Sequence, residues 1–146
     1  MSTWKRFEDI QAWQKARILA KKVYEIYQTG KLSKDWGLRD QMNRSSGSIM
    51  DNIAEGFDRG GNKEFIHFLS IAKGSTGELQ SQLYRAYDRG YIDKETFHEL
   101  YKEANLISAM IKKLIDYLKK SKIKGYKFKL ILTLIAASTM ITYLIS

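Results

Sequence analysis

Two short patterns in the chain are of a kind that does chemistry: Glu64-x-x-His67 and Glu95-x-x-His98. Two such pairs on facing helices, completed by two further inward carboxylates, hold the di-iron centre of carboxylate helical bundles. Whether these pairs face inward depends on the apolar residues around them. Taking Phe65 as zero and about 100° per residue, the stripe Phe65, Phe68, Leu69, Ala72, Thr76, Leu79 and Leu83 stays within about 60° of zero. His67 falls near 200° and Glu64 near 260° on the same wheel, so both point away from that stripe. In the second pair the stripe centres near Leu100, and His98 and Glu95 again fall on the other side. Both pairs read as solvated faces, and no metal is expected. Other reactions lack parts. The 146 residues include no Cys and only two His, and neither His stands at a definable spacing from both an orienting acid and a Ser nucleophile. No phosphate-cradling glycine loop is present. The composition points to a binding or assembly protein with neither enzyme activity nor a cofactor.

The elements that would position any site are helices. Pro is absent, where about 5% is usual, and apolar spacing of three and four recurs along the chain. From Asp9 to Gln28 the face is Trp13, Ala16, Ala20, Val23, Tyr24 and Tyr27, with Gly30 as the stop. A second helix over 34–57 turns Leu38, Met42, Ser45, Ile49, Asn52, Ile53 and Gly56 inward. Ser45 and Asn52 then need partners, because an unpaired buried polar group costs about 1–3 kcal/mol. Asp58 to Gly61 is a turn, Asn62 is placed as N-cap of a third helix, and that helix runs to Arg89 before Gly90. Asp93 caps a fourth helix, with Ile92 and Phe97 as a hydrophobic staple and a face running from Leu100 to Leu118. Short connections between four amphipathic helices predict an all-α, antiparallel up-and-down four-helix bundle over 1–118.

The formal charge of +9 is unevenly held. Residues 1–118 carry 19 Lys+Arg against 16 Asp+Glu, whereas 119–129 carry six Lys (Lys119, Lys120, Lys122, Lys124, Lys127 and Lys129) and no acid. That run reads as a basic linker. Residues 130–146 follow it without a single charge, a C-terminal hydrophobic tail and a borderline membrane anchor. As a helix, the tail reaches about 26 Å against a hydrocarbon core of roughly 30 Å. The lysines would hold the bundle on the cytoplasmic side and attract an anionic membrane surface. The alternative is a strand-prone extension rich in Ile and Thr. Met1 to Asp9 has no apolar run, so no signal peptide is read there.

On the back of the third helix Ser70, Gly74, Gly77 and Ser81 recur at intervals of four, three and four. Each mid-helix Gly costs about 1 kcal/mol relative to Ala, so a close contact with another subunit's helix is the expected compensation.

Gly37-Leu38-Arg39-Asp40-Gln41-Met42, Arg44-Ser45, Ser48-Ile49-Met50-Asp51-Asn52-Ile53-Ala54-Glu55-Gly56-Phe57, Phe65 to Leu69, Ala72-Lys73-Gly74-Ser75 and Glu78-Leu79 form a recognisable series. The series resembles the four-helix-bundle proteins encoded in intervening sequences of large-subunit ribosomal RNA genes, over about residues 4–120. Relatives of that family include the accessory variability determinant of diversity-generating retroelements. The resemblance implies a non-catalytic homo-oligomer, a pentamer in known relatives, with a basic surface for RNA or DNA and for reverse transcriptase. It also implies that Asn52, Glu55 and Gly56 close the second helix and that Gly74 and Ser75 sit at helix contacts.

The leading expectation is therefore an oligomer that binds nucleic acid or a nucleic-acid enzyme, with Lys15, Lys22, Arg44, Lys63, Arg85 and Arg89 as outward phosphate contacts. The alternative is a membrane-associated interaction scaffold anchored by its tail.

Overall fold

The computed structural model describes residues 4–145, apart from the side chains of residues 122–133, 135 and 143. Its long elements are α1 (Gln11–Ile26), α2 (Trp36–Asp58), α3 (Asn62–Asp88) and α4 (Lys94–Ile145), with one-turn 3₁₀ segments at Phe7–Asp9 and Lys31–Lys34. No strand occurs among the described residues. The helices pack α1 on α2, α2 on α3, α3 on α4 and α4 on α1, a helical bundle around one core. The end of one helix meets the start of the next. Gly56 of α2 lies against Phe65 and Phe68 of α3, and Tyr84 of α3 stacks on Phe97 of α4.

Leu19, Val23, Ile49, Ile53, Leu69, Leu79, Leu83 and Ile111 are fully buried, and Leu100 and Ile107 nearly so. Between α2 and α3 two polar contacts cross the otherwise apolar packing, supported by a third within α2. Ser45 donates to Gln82 Oε1 at 2.6 Å, the Ser48 and Ser75 hydroxyls share a bond at 2.8 Å, and Asn52 Nδ2 donates to the Ser48 carbonyl at 2.8 Å. Among the described residues no buried side-chain polar atom lacks a partner. At the end of the seam the two backbones come close. A Cβ on Gly56 would stand 2.7 Å from Phe68 Cβ, so only glycine fits. Gly56 thus sits in the last turn of α2, where the Arg59 amide closes the helix on the Glu55 carbonyl, and at the same time at the crossing with α3.

Several local expectations need correction. Tyr24 is 53% exposed and Leu19 takes its place in the core. The buried line of α1 passes through Ala12, Ala16, Leu19 and Val23, and Tyr24 lies about 100° past Val23. Gly61, not Asn62, occupies the N-cap of α3, and the Asn62 amide instead donates to the Leu118 carbonyl of α4 at 3.3 Å. Phe68 is only half-buried, covering Gly56 beneath the Arg59 guanidinium.

Other ends agree with the sequence. Asp93 accepts from the Thr96 amide at 2.7 Å, and α3 closes with Gly90 at φ 70° while the Tyr91 amide reaches back to the Ala86 carbonyl. Helix α4 continues past the bundle through the expected basic linker to Ile145. Lys119 and Lys120 are exposed, and the side chains of Lys122, Lys124, Lys127 and Lys129 lie outside the described residues. Among the described residues no helix is long and apolar enough to cross a membrane, and the side chains of residues 130–133, 135 and 143 and the whole of residue 146, all part of the expected anchor, lie outside them.

Candidate nucleic-acid interface

The junction between α1 and α2 gathers aromatic rings and cations. Gly30, at φ 73°, reverses the chain, and buried Leu32 pins the following turn to the core. Asp35 then caps α2 by accepting from the Leu38 amide at 3.3 Å, and it also accepts from the Tyr91 hydroxyl at 2.9 Å and Arg89 Nη1 at 2.7 Å. The Tyr91 hydroxyl, then the Leu38 amide and, more weakly, Arg89 hold this carboxyl below the usual carboxylate range. Its charge is already taken up, so it offers little opposition to an incoming anion.

Above this cap the Arg39 guanidinium lies 5.2 Å from the Tyr27 ring centre and 5.0 Å from that of Trp36, and Nη1 donates to the Ser33 carbonyl at 3.2 Å. Cation–π attraction fixes such a group without neutralising it. Arg39 forms no ion pair with any described carboxylate. Tyr27 is buried and donates to Asn43 Oδ1 at 2.9 Å, and burial pushes its hydroxyl pKa up. Tyr24 meets Tyr27 edge-on at 5.4 Å. Trp36, by contrast, is 72% exposed. Together these residues line a groove of about 320 Å³ that also includes Gln28, Asp40 and Asn43. Asp40 is paired with Arg44 at 3.1 Å. On the adjoining turn Lys31 and Lys34 are exposed and form no ion pair among the described residues.

The six basic residues expected to touch phosphate do not form one patch. Lys22 is clasped by Glu99 at 2.9 Å and by Glu103 on the α1–α4 seam, and the bond to Glu103, then that to Glu99, raises its pKa. Arg85 donates to Gln41 at 2.6 Å and Arg89 to Asp35, both bridging α3 to α2. Arg44 holds Asp40. Only Lys15 and Lys63 are exposed without an ion pair among the described residues. Helical outwardness identifies a surface residue, but acids of another helix claim Lys22 and Arg89, and Asp40 one turn back on the same helix claims Arg44. Trp36, Arg39, Lys31 and Lys34 are not among the expected contacts, and the signal for them in the sequence is a lone Trp36 set among Lys31, Lys34 and Arg39.

Ser70, Gly74, Gly77 and Ser81 are all exposed on α3, and a Cβ on either glycine would meet nothing within 4 Å. Of the two glycine-region positions implied to be helix contacts, Ser75 is buried and bonded to Ser48, whereas Gly74 is open. Glu64, His67, Glu95 and His98 are exposed as well. Among the described residues no three His, Cys, Asp or Glu side chains are grouped to hold a metal.

No curated protein matches the chain. A solved structure from Bacteroides thetaiotaomicron, a protein of unknown function from the S23 ribosomal protein family, shares its fold with a TM-score of 0.67 and 23% identity. The match covers 71% of this chain and 97% of that one. The pattern of the 23S rRNA-intervening sequence proteins runs through residues 8–113, from the 3₁₀ turn before α1 into the core-packed part of α4, and the chain belongs to that family.

Proposed function

We propose that the protein is a non-catalytic, antiparallel up-and-down four-helix bundle that assembles as a homo-oligomer and binds nucleic acid. The observation that carries the binding is Arg39, a half-buried cation held by two rings and no acid, with Lys31 and Lys34 beside it. A phosphate backbone is the partner for which such a cation is suited, since it neutralises the charge and releases counterions. Assembly draws support from the open face at Gly74 and Gly77, which leaves room for a closely packed helix. Gly74→Leu should therefore reduce the mass measured by light scattering, and an unchanged mass excludes that face. Binding is tested with labelled RNA by fluorescence anisotropy: affinity at low salt that falls steeply as salt rises supports the reading, and no binding at low salt removes it.

A second reading rests on the described part of the C-terminal extension, where Leu134, Met140, Ile141, Leu144 and Ile145 are exposed. Laid against an anionic membrane surface, this segment would cover apolar side chains while Lys119 and Lys120 met the headgroups. The bundle would then act as a membrane-associated scaffold. Co-sedimentation with phosphatidylserine vesicles that is lost on deleting 130–146 supports it; full-length protein that stays in the supernatant excludes it.

A further inference from the structure

We infer that the groove between α1 and α2 seats an unpaired stretch of nucleic acid, one base stacked on Trp36 and the flanking phosphates held by Arg39 and Lys34. This rests on the nucleic-acid reading and narrows it to a strand type and a site.

Three observations select this occupant. First, Trp36 lies against Arg39, yet 72% of the residue remains open to solvent. An indole held out in water on a capped helix start is not used for the core, and base–aromatic stacking is the interaction it can offer. Second, the charge around it is cationic and available. Asp35 is bound by Tyr91 and Arg89, Asp40 by Arg44, and Arg39 has used one side-chain donor, on the Ser33 carbonyl, without an ion pair to any described carboxylate. A cationic ligand is disfavoured because Arg39 already fills the space between the rings. Third, the groove is small, with a volume of about 320 Å³. A duplex keeps its bases stacked inside and presents only backbone to such a site, whereas a single strand can turn a base outward onto a ring. The rings are also fixed in advance: Tyr24 packs on Tyr27, Tyr27 is bonded to Asn43, and Arg39 bridges Tyr27 to Trp36.

Trp13 is buried and Trp4 half-buried against the core, so Trp36 is the indole most accessible to a ligand. The full-length protein is titrated with a twelve-nucleotide oligouridylate and with a blunt RNA duplex of the same length, reading tryptophan fluorescence and anisotropy together. Expected are quenching by the single strand that is absent in Trp36→Phe, tighter binding of the single strand than of the duplex, and a loss of roughly fivefold or more in single-strand affinity for Trp36→Ala. Trp36→Phe keeps most of the affinity because a ring remains, and since residue 36 is exposed both variants retain the wild-type circular dichroism. If both nucleic acids bind equally and Trp36→Ala alters neither, the stacking seat is refuted while nucleic-acid binding stands. If neither binds at low salt, both fall.

Discussion

Lys22 and Arg39 are both half-buried cations at a helix–helix junction, and they have opposite fates. Lys22 is enclosed by Glu99 and Glu103, so its charge is spent inside the fold, tying α1 to α4. Arg39 is held as firmly, but by Tyr27 and Trp36, whose ring faces attract the cation and leave its net charge intact. What surrounds a buried cation, and not its burial or its place on a helix wheel, decides whether it serves structure or a partner. The formal charge of residues 1–118 hides this. Among the described residues Arg6, Lys22, Arg44, Arg59, Arg89 and Lys112 are ion-paired, and at the α1–α2 junction three unpaired cations, Lys31, Lys34 and Arg39, stand beside an exposed indole.

The comparison requires a rigid frame common to both sites, and the largest expected effect comes from breaking it. Gly56→Leu would force α2 and α3 apart where a Cβ already meets Phe68 at 2.7 Å, costing about 3 kcal/mol, seen as a lower urea midpoint. Next come the two cations themselves. Arg39→Ala should weaken RNA binding about tenfold, equivalent to about 1.4 kcal/mol, while Lys22→Ala changes it less than twofold, measured by anisotropy at one low salt concentration. In stability the order reverses but the scale is smaller. Lys22→Ala is expected to lose about 0.5–1 kcal/mol, because the pair is partly solvated, and a double-mutant cycle with Glu103→Ala isolates that coupling.

The smallest effects are in pH. The raised Lys22 pKa gives stability that is complete below the ordinary lysine value and lost as pH rises through the folded one. Asp35 has the opposite sign. Its lowered pKa gives stability present above the ordinary carboxylate value and lost as pH falls through the depressed one, so Asp35→Asn should flatten the acid limb of a thermal-melt profile.

The helices were legible from spacing because their cores repeat at three and four residues, and the glycine stops and the Asp93 cap could be read directly. The polar contacts around α2 were half legible. Ser45 and Asn52 imply a need for partners; Asn52 finds Ser48 one turn back on its own helix, whereas the meeting of Ser45 with Gln82 depends on how α2 sits on α3. Tyr24 was misplaced because a helix wheel defines a face only to within one residue's rotation, about 100°. Four of the six outward cations are engaged: the Asp40–Arg44 pair is an i, i+4 spacing within one helix, whereas a wheel carries no information about the facing helix that binds Lys22, Arg85 and Arg89. Arg39 and Trp36 were missed for the same reason in reverse: their value comes from Tyr27 on another helix, brought within reach by the turn at Gly30.

The most direct test of the central claim is the salt dependence of RNA binding in three proteins measured side by side: the wild type, Arg39→Ala and Lys22→Ala. On a plot of log affinity against log salt, the wild type should fall steeply, Arg39→Ala should be shallower by about 0.7–0.9, the loss of one phosphate contact, and Lys22→Ala should follow the wild type. Equal slopes for all three, or a shallower slope for Lys22→Ala, would contradict the account.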